Sequence, residues 1–143
     1  MKKGWLTVSL TILVVLFLFH KETIAFNNAQ LQTLLATKQC NSCDLSNANL
    51  WGAELAPGAQ LNWANLSGAN LSQAKLDSAQ IYNANLTNAN LSNAFMRSAD
   101  LSYSNLTGAN LSGTQLNNAD LSFATWTDGI TKCKSGSRGT CNK

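Results

Sequence analysis

The chain has 143 residues, with ten Lys and Arg against seven Asp and Glu and a formal net charge of +3. Its only His is His20, outside the region that looks folded, so no Ser–His–Asp or Cys–His catalytic pair can be assembled. There is no P-loop and no G-x-G-x-x-G stretch either, and the reading is of a chain that is not an enzyme and takes no cofactor.

Residues 1–25 have a composition of their own. Lys2 and Lys3 precede a mostly apolar run, Trp5–Phe19, and Thr23-Ile24-Ala25 follows as a small-residue site. This is the plan of a secretory signal peptide cleaved after Ala25. The run of 15 residues is shorter than the roughly 20 a membrane span needs, although an uncleaved anchor stays open as an alternative. Cleavage would leave a protein in an oxidising compartment, with no membrane contact of its own.

Residues 26–42 read as a capping helix and an entry segment. Asn27 or Asn28 can cap a helix over Asn27–Gln39, in which Leu31, Leu34 and Leu35 share a face. Such a helix suits the end of a larger structure, where it shields an apolar interior.

From residue 43 to 128 the chain repeats every five residues. Leu45, Leu50 and Leu55, then every fifth position from Leu61 to Trp126, are large and apolar: 14 Leu, Ile81, Met96 and Trp126. Two residues before each stands a small one, Ala except at Cys43, Ser104 and Thr114. A helix needs a period near 3.6 and a strand a period of 2, so the chain must turn once per repeat. Asn, Asp, Ser, Thr and Gly crowd the outer places, where their short side chains favour turns. The register slips once, by one residue, at Ala56-Pro57-Gly58, which reads as a bulged corner.

Units such as Ala64–Gly68 and Ala109–Gly113, both ANLSG, resemble the pentapeptide repeat family over residues 43–128. The resemblance implies an all-β solenoid, a right-handed quadrilateral β-helix of about four coils stacked roughly 4.8 Å apart. The flanking stretches LLATKQCNSCDLS and TWTDGITKCKSGSRGTCNK resemble exported cyanobacterial members, which implies a periplasmic or thylakoid-lumen protein. Residues 129–143 would be a disulfide-closed C-terminal tail. On a rod of that length, about 20 Å, Cys40 and Cys43 sit at one end and Cys133 and Cys141 at the other. Bridges Cys40–Cys43 and Cys133–Cys141 are then the pairing within reach, because a disulfide needs Cα atoms within about 7 Å. A redox-active Cys40–Cys43 dithiol is the alternative to a staple.

Position n stacks on n+20 once the slip is past. This places Asp77 beside Arg97, sets Asp100 on Asp120, and gathers one aromatic per coil at one corner: Trp63, Tyr82, Tyr103 and Phe123. An exposed aromatic row suggests a recognition or dimer surface, and cross-strand packing explains it equally well. Some members of the resembled family mimic DNA, but residues 44–126 carry five acids against Lys75 and Arg97, too weak a charge for that. The functional expectation is an exported rigid module that binds a protein through one face; the alternative is thiol–disulfide exchange. No nucleic-acid partner is expected, and a homodimer stays open.

Overall fold

The computed structural model describes residues 28–143. The signal segment 1–25 and the first candidate cap, Asn27, lie outside them. The one helix among the described residues, α1, spans 28–37. Thr33 and Thr37 each donate a hydroxyl proton back to the carbonyl four residues earlier, at 2.9 and 2.7 Å. Leu34 is fully buried and Leu31 partly so, but Leu35 is 42% exposed, so α1 inserts a narrower apolar edge than its leucine spacing suggests.

The rest of the chain is built from corners. In every repeat but that of Leu55, at the slip, the carbonyl of the large residue accepts a bond from the N–H three places on, as from Ala69 to Leu66 at 3.1 Å. The third residue of the turn has positive φ, +66° at Gly68 and 57° at Asn88, which makes these type II turns. The one residue between corners bonds a neighbouring coil through both its N–H and its carbonyl. Asn85, for example, donates to the Ala64 carbonyl at 3.0 Å and accepts from Leu66 N–H at 2.8 Å. These parallel bridges join n to n+21 before the slip, as in Glu54 to Lys75, and n to n+20 after it, as in Asn65 to Asn85. The change of register falls at Ala56-Pro57-Gly58, where the Ala56–Pro57 peptide is cis and the Lys38 ammonium donates to the Ala56 carbonyl at 2.6 Å.

This geometry corrects the expected fold class. Among the described residues there is no β-strand and no sheet, only isolated bridges and one short helix, so the chain is not an all-β right-handed quadrilateral β-helix. The physical reason lies in the period. A five-residue unit gives two residues to each turn and two to the positions flanking the bridge, which leaves no run of consecutive extended, paired residues.

Inside the coils the large and small series meet. Leu45 through Leu106 and Leu121 are at most 1% exposed, and most of the Ala series is equally closed. Leu111, Leu116 and Trp126 are only partly buried, because less of the chain covers them. Ser104 is completely buried in an Ala place. Its hydroxyl donates to the Ile81 carbonyl at 2.6 Å and accepts from Ala84 N–H at 3.2 Å, so it sits inside the corner of the coil before it. The direct corner bond from Ala84 to Ile81 lengthens correspondingly to 3.4 Å.

Two substitutions separate packing from hydrogen bonding here. Leu86→Ala should destabilise the protein by about 2–5 kcal/mol in urea unfolding, since the narrow interior cannot collapse onto the void. Ser104→Ala should cost only about 1 kcal/mol or less, because Ala84 N–H can return to the corner bond its counterparts make.

Candidate functional site: the aromatic corner and the closed ends

The corner between the column of Gln60, Gln80, Asp100 and Asp120 and the column of Asn65, Asn85, Asn105 and Thr125 carries the aromatic row. Trp63 and Tyr82 meet edge to face with ring centres 5.6 Å apart. Tyr82 and Tyr103 follow at 5.4 Å, and Tyr103 and Phe123 at 4.9 Å with planes 31° apart. The four rings form one unbroken column along the stack. Trp63, Tyr103 and Phe123 remain 54%, 50% and 43% exposed. Phe95 lies in the column of Lys75 and Gln115, and Trp51, 61% exposed, belongs to the first coil; neither joins the row.

The backbone under these rings is unusual. Trp63, Tyr103 and Phe123 have φ of 58°, 62° and 61°. Equivalent corner places elsewhere hold Asn, Ser, Gln or Gly, residues that mostly suit the left-handed region better. In this corner Asn83 takes the positive φ, and Tyr82, one residue earlier, fills the ring position from a relaxed backbone. Tyr82 is held by its N–H, which donates to the Asn62 side chain at 3.1 Å.

The cysteines lie at the two ends. Cys40 and Cys43 are bridged with Cα atoms 5.3 Å apart, and Cys133 and Cys141 with Cα atoms 4.9 Å apart. Cys43 N–H bonds to the Cys40 carbonyl at 3.4 Å, so the first bridge spans a corner. Cys40 therefore belongs to the large series one repeat before Leu45, a place that a search for aliphatic residues passes over. It is 3% exposed. Beside it, the Gln30 side chain of α1 accepts from Asp44 N–H at 2.8 Å. No cluster among the described residues could hold a metal ion, and no described cysteine is free.

Charged groups sit outside. Asp77 accepts from Arg97 at 2.7 Å, and the guanidinium holds its carboxyl below the usual range. Lys75 pairs with Glu54 at 2.7 Å, a contact the register slip hides from the sequence. Arg138 reaches Asp120 at 3.1 Å. Partial burial works against ionisation of Asp120, but Ser122 and Arg138 outweigh it and its pKa is lowered. Asp128 is depressed to about 2, mainly by the Thr131 hydroxyl and by the N–H groups of Thr131 and Ile130.

Tyr103→Gly should leave a more stable protein than Tyr103→Ala by about 1 kcal/mol, measured by chemical unfolding, because only Gly takes this φ freely. For Asp128 the folded pKa lies below the unfolded one, so its contribution is complete above roughly pH 4 and fades as pH falls toward about 2. The melting temperature should drop over that window, and Asp128→Asn should flatten that part of the drop.

The family model for pentapeptide repeats (8 copies) matches residues 58–93 and 94–125. No curated protein sequence matches the chain. Among solved structures, alr5209, a pentapeptide repeat protein from Nostoc PCC 7120, is 34% identical, with 64% of this chain and 76% of that one covered and a TM-score of 0.59. Rfr23 from the cyanobacterium Cyanothece 51142 is 31% identical over 68% of this chain and 82% of its own, with a TM-score of 0.42. HetL, from the same Nostoc strain, is 36% identical with a TM-score of 0.49, and this chain spans only 39% of its length. With its five-residue period, its corner-built coils, the family-model match and the likeness to alr5209, the chain belongs to the pentapeptide repeat family.

Proposed function

We propose that this is an exported, non-catalytic pentapeptide-repeat protein that serves as a rigid module and binds another protein through the corner of Trp63, Tyr82, Tyr103 and Phe123. The observation that supports the reading is the backbone conformation. The three aromatics found at positive φ among the described residues all lie in this one corner, where the fold itself would favour Gly or Asn. Bulky residues kept in a disfavoured conformation and half exposed are accounted for by a surface that uses them, and aromatic side chains are the ones that anchor protein interfaces.

Export to the periplasm or the thylakoid lumen is supported by the two disulfides, which persist in oxidising compartments, together with the signal-like residues 1–25. We place the domain limits at 1–25 for the signal, 26–42 for the cap, 43–128 for the repeats and 129–143 for the tail. Thiol–disulfide exchange has less support. An attacking thiolate must reach a sulfur, and burial closes off Cys40, which confines attack to the partly buried Cys43.

The test is capture by crosslinking from the native exported fraction, with two baits. One is the unaltered protein; the other carries Trp63→Asn, Tyr103→Asn and Phe123→Asn, the residue that Asn83 already places in this corner. The expected result is a partner recovered by the first bait and reduced at least tenfold with the second, while circular dichroism shows both folded. Equal recovery would remove the aromatic corner as the binding surface.

A further inference from the structure

The last coil is closed on two sides and open on the other two. On the sides of Asp120 and Thr125 the tail runs back antiparallel. Leu121 N–H donates to Ser137, Phe123 N–H to Cys133 and Gly139 N–H to Ala119, each at 2.9 Å. The sides of Asn110 and Gln115 have no such cover. One coil earlier the N–H groups of Leu91, Asn93, Met96 and Ser98 all donate to the following coil at 2.9 Å. Their counterparts at Leu111, Gly113, Leu116 and Asn118 have no hydrogen-bond partner among the described residues, nor do the carbonyls of Ala109 and Thr114.

The gap has a shape. An open groove of about 620 Å³ lies between residues 114–118 and the tail residues Arg138–Thr140. The tail comes close there at Gly139, whose φ of +68° and lack of a Cβ allow it to lie against the Leu116 carbonyl. Apolar surface accompanies the open groups, since Leu111 and Leu116 are only partly buried and Ile130, in the turn that leaves the coil, is 87% exposed. An edge with paired donors and acceptors beside apolar contacts is what an added length of extended chain requires.

Charge selects the occupant. Residues 109–118 hold no charged side chain, while the tail carries Lys132, Lys134, Arg138 and Lys143. Asp120 pairs with Arg138 and Asp128 is bound within its own turn, which leaves Lys132, Lys134 and Lys143 as the tail cations outside any salt bridge among the described residues. Two such ends brought together would set cation against cation, which disfavours tail-to-tail pairing of two copies of this chain. We propose that the open edge receives an extended, carboxylate-bearing segment of a partner protein, laid along 114–118 as the next course of the stack. This surface is separate from the aromatic corner, and each can fail without the other.

The probe is an alternating Glu-Val hexapeptide with blocked ends, added to the isotope-labelled protein at low salt, with amide hydrogen exchange read residue by residue. The N–H groups of Leu111, Gly113, Leu116 and Asn118 should exchange at least fivefold more slowly with it. A Lys-Val hexapeptide should give no slowing, and Arg138→Gln should weaken the effect of the Glu-Val peptide. Unchanged exchange, or equal slowing by both peptides, would overturn the proposal. So would slowing that grows with protein concentration alone, which would make a second copy the occupant.

Discussion

The stack depends on a backbone exchange that recurs at the parallel bridges: one N–H given to, and one carbonyl bond taken from, the neighbouring coil. Asn85 does this with Ala64 and Leu66, and Asn105 with Ala84 and Leu86. Such bonds hold neighbouring backbones at roughly strand spacing, about 4.8 Å. Each layer then has room for one large and one small side chain per side, which is why Leu and Ala alternate inside and why the hydroxyl exceptions, Ser104 and Thr114, spend their hydroxyls on the adjacent backbone. The same exchange obliges the chain to turn within two residues, and the positive φ at each corner follows from that.

The outer surface obeys the bridge as well. Asn65 donates to Asp44 and Asn85 to Asn65, at 3.0 and 3.2 Å, while the Asn65 oxygen accepts from Ser67 two residues on. Each Asn thus fastens its own corner and touches the coil before it. Charges add little, since pairs this exposed contribute about 0–1 kcal/mol. The aromatic row uses the same vertical spacing for stacking, at about 0.5–1.5 kcal/mol per ring pair, in partial return for three strained corners.

The ends are where a stack of this kind is vulnerable, and they are treated differently. At the first coil α1 inserts Leu34 into the interior, Gln30 satisfies Asp44, and the Cys40–Cys43 bridge locks the entry corner. At the last coil a disulfide-closed tail covers two sides and leaves backbone groups exposed on the others. Both ends keep unspent bonding capacity among the described residues: the N–H groups of Asn49 and Glu54 at the first coil, and those of Leu111, Gly113, Leu116 and Asn118 at the last.

Sequence by itself determined the period, the inward series and the position of the slip, because burial in a narrow interior tolerates few residue types and leaves them at fixed intervals. It also placed Trp63, Tyr82, Tyr103 and Phe123 on one side, since stacking distance in space is a constant count along the chain. Tertiary structure decided the rest. Whether extended residues make strands depended on how many the corners consumed, and that left isolated bridges instead of the expected sheet. The pairing of Glu54 with Lys75 depended on a count of 21 across the slip, and that of Arg138 with Asp120 on a tail that reverses direction. The strain under the aromatics and the half-open last coil arise from backbone angles and from chain ends meeting in space, which no interval in the sequence records.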